Sequence, residues 1–155
     1  MNAQTQSFIL QGAAGPLECK LDLPPEAAPR GIALIAHPHP LYGGTLDNKV
    51  VQTLARAFIA LGYVSVRMNF RGVGESGGTH DNGHGETDDM AQLHAHMCAQ
   101  YPGLPVALSG FSFGPSCSRS YRSVLSSSTS LPSGWCWSAA RRASGRCLRF
   151  PQTPC

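Results

Sequence analysis

Apolar and polar positions change period several times along the chain, and each change marks an element. Residues 7–10 and 17–23 alternate in the manner of half-buried strands, and the Gly-Ala-Ala-Gly-Pro stretch at 12–16 joins them as a turn. This opening predicts a hairpin, and the proline-rich residues 24–29 predict a loop after it. Residues 31–36 are then nearly all apolar, as expected of a strand covered on both faces in a mostly parallel sheet, and residues 63–70 repeat that pattern. Between the two, Val50, Val51, Leu54, Ala55, Phe58 and Ile59 recur at helical spacing over residues 48–61. Asp47 or Asn48 serves as N-cap and Gly62 as the stop, which predicts a right-handed βαβ unit.

A second helix is predicted over about residues 87–100, with Met90, Leu93 and Met97 on one face, Asp88 and Asp89 near its positive end and Pro102 beyond it. Val106, Ala107 and Leu108 form a third buried strand. Strands alternating with helices predict an α/β layer fold, in which function sits at the carboxyl ends of the strands. The third strand runs directly into Gly110-Phe111-Ser112-Phe113-Gly114, a GxSxG pentapeptide. Small residues on either side of such a serine permit a tight strand-to-helix turn that lifts its hydroxyl above the sheet. Ser112 is therefore the candidate nucleophile, and the backbone N–H of Phe113 is the candidate donor to a developing oxyanion.

A second donor is expected from the loop leaving the first buried strand, His37-Pro38-His39-Pro40-Leu41-Tyr42-Gly43-Gly44. Pro38 and Pro40 have no N–H to offer, so His39 is the best-placed residue, with Leu41 behind it. Gly72-Val73-Gly74-Glu75-Ser76-Gly77 fits the GxGxxG dinucleotide pattern, but that site requires a helix to begin there. Here the polar residues 78–85 follow, which favours a glycine-rich turn in which Arg71 and Glu75 brace the neighbouring loop. The six histidines do not suggest a metal. His94 and His96 lie two apart on a predicted helix and face different directions, and His37 and His39 lack a third ligand nearby.

Together these motifs resemble the α/β-hydrolase superfamily, in particular a group of small bacterial predicted hydrolases. The resemblance covers residues 1–114 and rests on Ala36-His37-Pro38-His39-Pro40 with Gly43-Gly44, Asn48-Lys49, Asn69-Phe70-Arg71-Gly72-Val73-Gly74-Glu75-Ser76, Gly85-Glu86 with Asp88-Asp89, and the GxSxG elbow. It implies a sheet of the eight-stranded type, Ser112 as nucleophile, an oxyanion hole near His39 and Phe113, and hydrolysis of an ester or related acyl bond of a small-molecule substrate without a cofactor.

Composition alters this picture after residue 114. Residues 1–114 hold six Lys or Arg against nine acids, whereas residues 115–155 hold six Arg and no Asp, Glu, His or Lys. Serine hydrolases of this fold place the acid and then the histidine of the triad after the serine, and this chain offers neither there. An upstream substitute would have to come from His37, His39, His80 or His84, with Asp81, Glu86 or Asp88 as orienter. The expected organisation is thus a truncated α/β-hydrolase fold, a mostly parallel sheet with flanking helices that lacks the later βα units. Cys117, Tyr121, Val124 and Leu125 have the spacing of a short elbow helix, and no element is expected beyond residue 126.

The Arg-, Ser- and Cys-rich residues 115–155 read as out of frame or disordered, and the expected polypeptide is inactive for want of a base. A non-catalytic binding module with a basic tail is the alternative. The six cysteines follow neither a disulfide framework nor a metal-ligand spacing, and the N-terminus carries no signal pattern. Reduced thiols, a cytoplasmic setting, and neither nucleic-acid nor membrane partners are the expectation.

Overall fold

The computed structural model describes residues 5–25, 28–112 and 136–138. Strand β1 (Gln6–Gly12) and strand β2 (Gly15–Asp22) form the predicted hairpin, both longer than the apolar alternation alone suggests. Strand β3 (Gly31–Ala36) has the predicted limits and is buried at every position. Helix α1 (Lys49–Ala60) follows, its N-cap Asn48 accepting the Val50 N–H through its side chain. Strand β4 (Tyr63–Met68) stops before Asn69 and Phe70, which turn away into the next loop.

Helix α2 (His84–Gln100) begins about one turn earlier than expected. The physical reason is its cap: Gly83 adopts a left-handed φ of 100°, and Glu86 reaches back so that its Oε2 accepts the Gly83 N–H at 2.8 Å. The acid of the first turn is therefore Glu86, while Asp88 and Asp89 lie one turn further on. Strand β5 (Val106–Gly110) is fully buried. Strand β6 (Cys136–Ser138) pairs with β5 in parallel, which corrects the expectation of no element beyond residue 126. Backbone pairing to β5 satisfies an edge that the sequence pattern leaves open. The elbow helix expected after Pro115 lies outside the described residues.

The six strands are ordered β1-β2-β4-β3-β5-β6. The β1–β2 and β2–β4 pairs are antiparallel, and β4–β3, β3–β5 and β5–β6 are parallel. Since β4 lies on one side of β3 and β5 on the other, the chain reverses its direction of progress across the sheet at β3. The carboxyl end of β3 is thus the switch point where α/β sheets open a crevice. Met90, Leu93 and Met97 of α2 complete the main core with Leu17, Cys19, Leu21, Ile32, Leu34, Val64, Val66, Met68 and Leu108. A smaller cluster, Ile35 with Val51 and Ala55, sits under α1. Beside it, buried Arg67 pairs with buried Asp22 at 2.9 Å, so two charges tie β4 to β2 where the apolar face runs out.

Candidate functional site at the strand ends

His37 takes the chain off β3 and is fully buried. Its Nε2 accepts the Phe70 N–H at 3.1 Å, which requires the proton to sit on Nδ1, and Nδ1 faces the Pro38 carbonyl at 2.5 Å. The neutral ring satisfies both partners, and burial pushes the imidazole pKa below its ordinary 6.5 against the opposing pull of the Pro38 carbonyl and Glu86. His37 is thereby a fixed strut between the ends of β3 and β4, with Phe70 packed edge-on against it at 4.8 Å between ring centroids.

The following loop folds into a 3-10 turn over Pro40–Tyr42. The His39 carbonyl accepts the N–H groups of Tyr42 and Gly44 at 3.1 and 3.2 Å, while His39 Nδ1 accepts the Leu41 N–H at 3.2 Å. Two glycines are required by this geometry. Gly43 has φ 73°, and a Cβ on Gly44 would lie 2.0 Å from the Pro38 carbonyl oxygen. Leu41, the reserve donor expected from the sequence, already donates its N–H to the His39 ring.

Strand β5 ends beside the same loop. Phe111 N–H reaches the Ala36 carbonyl at 3.3 Å, so the residue before Ser112 is tied to the last residue of β3. Ser112 has φ 60°, a left-handed conformation that is uncommon for a non-glycine residue and clusters at functional turns. Both Phe111 and Ser112 are exposed. Phe113 lies outside the described residues.

The glycine-rich motif forms a latch. Ser76 Oγ donates to the Asn69 carbonyl at 2.8 Å and accepts the Glu18 N–H at 2.9 Å, and the Gly77 N–H donates to the Pro16 carbonyl at 2.8 Å. Glu18 Oε2 in turn accepts from Asn69 Nδ2 and from the Glu75 N–H. The helix that follows starts at His84, after the motif has ended. The expected brace is present in altered form. Arg71 forks onto Asp89, with Nε to Oδ2 at 2.9 Å and Nη2 to Oδ1 at 2.7 Å, whereas Glu75 participates through its backbone alone. Hydrogen bonding to Asp89 holds the guanidinium pKa above its ordinary value in spite of partial burial. Glu18 was not singled out by the sequence, because nothing local marks a residue in an alternating strand, and Asp89, which belongs to the Asp88-Asp89 motif, was not paired with Arg71 there.

The candidate upstream bases separate clearly. His80 and Glu86 come together at 2.7 Å between Nδ1 and Oε1, and the His80 ring lies 4.8 Å from that of His39. Burial opposes ionisation of Glu86, but N–H groups of Asp81, Glu86 and Gly83 and the nearby His80 bring its pKa below the ordinary 4.5. His96 stacks on Phe8 and His94 lies against Cys98, so these two histidines face different neighbours, as their spacing predicts. Burial lowers the His94 pKa as well. Among the described residues, no group of His, Cys, Asp or Glu is arranged to hold a metal ion, and no helix is long and apolar enough to cross a membrane.

The cysteines divide. Cys19 is a free buried thiol, its pKa pushed up to about 12 by burial with a contribution from Glu18. Cys98 is disulfide-bonded, which corrects the expectation of reduced thiols at that position.

Comparison with known proteins places this geometry. An uncharacterised protein of Rickettsia prowazekii is 45% identical over 84 residues, which make up 54% of this chain and 35% of that protein. A lidless α/β serine hydrolase of Xanthomonas campestris superposes with a TM-score of 0.74 at 39% identity, over 81% of this chain and 59% of that one. An α/β serine hydrolase homologue of Coxiella burnetii superposes with a TM-score of 0.73 at 41% identity, over 77% of this chain and 58% of that one. The chain thus spans about a third of the curated relative and under three fifths of these two structures. The family model described as X-Pro dipeptidyl-peptidase (S15 family) matches residues 16–118. With an α/β sheet that changes direction at β3, a left-handed serine at the end of β5 and this match over most of its length, the chain belongs to that family within the α/β-hydrolase superfamily.

Proposed function

We propose that Ser112 is the nucleophile of an acyl hydrolase acting on an ester or related acyl bond of a small molecule, with the backbone N–H groups of Phe113 and His39 receiving the oxyanion. The observation that carries this reading is the left-handed φ of 60° at Ser112, immediately after β5 and tied to the end of β3. In the reaction Ser112 Oγ adds to the acyl carbon and its proton passes to a base. The carbonyl oxygen gains the negative charge, which the two N–H dipoles stabilise.

His39 is favoured over Leu41 as donor because the Leu41 N–H is already engaged. Residues 115–155 supply no Asp, Glu or His, so those residues offer the hydroxyl neither the base nor the orienter that usually activates it. Loss of such partners lowers rates by roughly four to six powers of ten. Slow chemistry at Ser112 is the expected behaviour.

A fluorophosphonate probe at high concentration, followed by intact-mass and peptide mass spectrometry, tests both parts. One adduct, forming slowly, mapping to Ser112 and missing in Ser112→Ala, is expected. An adduct elsewhere, or none after long incubation, refutes the nucleophile. Labelling as rapid as that of an ordinary serine esterase refutes the account of the missing base. A panel of p-nitrophenyl esters and X-Pro p-nitroanilides would then separate ester from peptide-type acyl substrates.

A further inference from the structure

Glu86, like Asp89, is a fully buried acid near the strand ends, and it lies in the first turn of α2. Its Oε1 accepts the Asp81 N–H at 2.9 Å and its Oε2 the Gly83 N–H at 2.8 Å. Capping of this kind is served as well by a neutral side chain, and burying a carboxylate is costly unless further donors meet it. Beside it lies His80, whose Nδ1 is 2.7 Å from Oε1, within ion-pair distance, and whose side chain is only 10% exposed.

From His80 the contacts lead to the loop after β3. The rings of His80 and His39 lie 4.8 Å apart, tilted by 55°, and His39 Nδ1 accepts the Leu41 N–H. The His39 carbonyl holds Tyr42 and Gly44. That turn has little burial to fix it, since Leu41 and Tyr42 are 71% and 88% exposed. At its base the half-buried His39 ring lies against the rings of Tyr42 and His80.

We propose, resting on the reading of His39 as an oxyanion donor, that the Glu86–His80 pair is a positioning unit for the residue 38–44 turn. Glu86 fixes the His80 ring, His80 seats the His39 ring, and the seated ring fixes the direction of the His39 N–H beside Ser112. His80 and Glu86 touch no substrate in this scheme. Their effect passes through the His39 turn, where a displacement of about 1 Å can lower a rate about a hundredfold.

The test uses the full chain with His80→Ala and His80→Asn. Asparagine offers Glu86 a neutral polar neighbour and removes the ring that seats His39. Amide exchange at residues 41–44 is compared with exchange at residues 31–36 of β3, and the rate of fluorophosphonate labelling at Ser112 is measured on the same samples, with and without added imidazole. Both variants are expected to exchange faster at 41–44 by about tenfold with the β3 amides unchanged, and to label about ten- to a hundredfold more slowly. Imidazole is expected to restore part of both effects in His80→Ala. Unchanged exchange at 41–44, exchange rising equally in the turn and in β3, or unaltered labelling each overturns the proposal. If the parent chain is not labelled at Ser112, the nucleophile reading fails instead, and the exchange comparison alone decides whether the pair holds the turn.

Discussion

Gly85→Ala is the most informative single substitution outside the elbow, because one added methyl group meets a charge held in place. A Cβ at Gly85 would stand 1.9 Å from Nη1, 2.2 Å from Cζ and 2.7 Å from Nε of Arg71. Ordinary contact begins at 3.4 Å, so the guanidinium must retreat by about 1.5 Å, the difference between 3.4 and 1.9 Å. A free arginine tip would do so at little cost. This one is forked onto Asp89 at 2.9 and 2.7 Å, with the Asp89 side chain fully buried and the Arg71 side chain 11% exposed. Retreat breaks both bonds and leaves a buried carboxylate with only the longer Arg71 backbone N–H, at 3.3 Å.

Breaking a buried pair from one side costs about 3–5 kcal/mol, and the retained backbone bond places the expectation near 3 kcal/mol. That is a large share of the roughly 5–15 kcal/mol that holds a domain together. Urea unfolding followed by circular dichroism measures it, with a cycle through Arg71→Ala. Once the guanidinium is gone the clash is gone, and Gly85→Ala should then stabilise by about 0.5–1 kcal/mol, the ordinary gain of alanine over glycine in a helix. A cost below about 1 kcal/mol in the parent chain, or the same cost in both backgrounds, refutes the reasoning.

Two further outcomes are expected. Ser112→Gly removes the left-handed φ of 60° from a residue with a Cβ, so it should raise stability by about 1 kcal/mol and the melting temperature by about 2–4 °C while abolishing labelling; a lower melting temperature contradicts this. The pH dependence of stability follows from three groups whose folded pKa values are depressed. His37 and His94 lie below 6.5 when folded, so between their folded values and 6.5 the unfolded chain binds more protons. Their contribution is complete above 6.5 and is lost as pH falls below it. Glu86 lies below 4.5, so its contribution is present above 4.5 and is lost as pH falls through its folded value. Urea midpoints measured from pH 8 to pH 3 should decline on the acid side of 6.5, His37→Gln flattening the upper part and Glu86→Gln the lower; a midpoint rising between pH 6.5 and 5 contradicts the buried neutral His37.

Much of this protein is legible from local pattern because the forces that shape it are local. The all-apolar run at residues 31–36 can only be a strand covered on both faces, and it is. The stripe from Val50 to Ile59, with Asn48 before it, specifies α1 and its cap. Period and capping also explain the error at α2. Acids near the positive end put the α2 start at about residue 87, whereas Glu86 caps the chain by reaching backward to Gly83, which only a folded turn reveals.

Glycine spacing and a serine between small residues announce an elbow without reference to any partner. What the sequence alone determined is therefore the order of strands and helices, the location of the strand-end loops and the serine on which they converge. Tertiary structure decided everything that depends on residues distant in the chain. The sheet order brings β3 between β4 and β5, His37 spans 33 positions to meet Phe70, Glu18 spans 51 to meet Asn69, and His80 comes to rest between Glu86 and His39. Those contacts join groups that, Glu86 and His80 aside, lie far apart in the sequence, and they meet only in the folded sheet. Hydrophobic period records which face is buried, but no period records which buried donor will meet which acceptor.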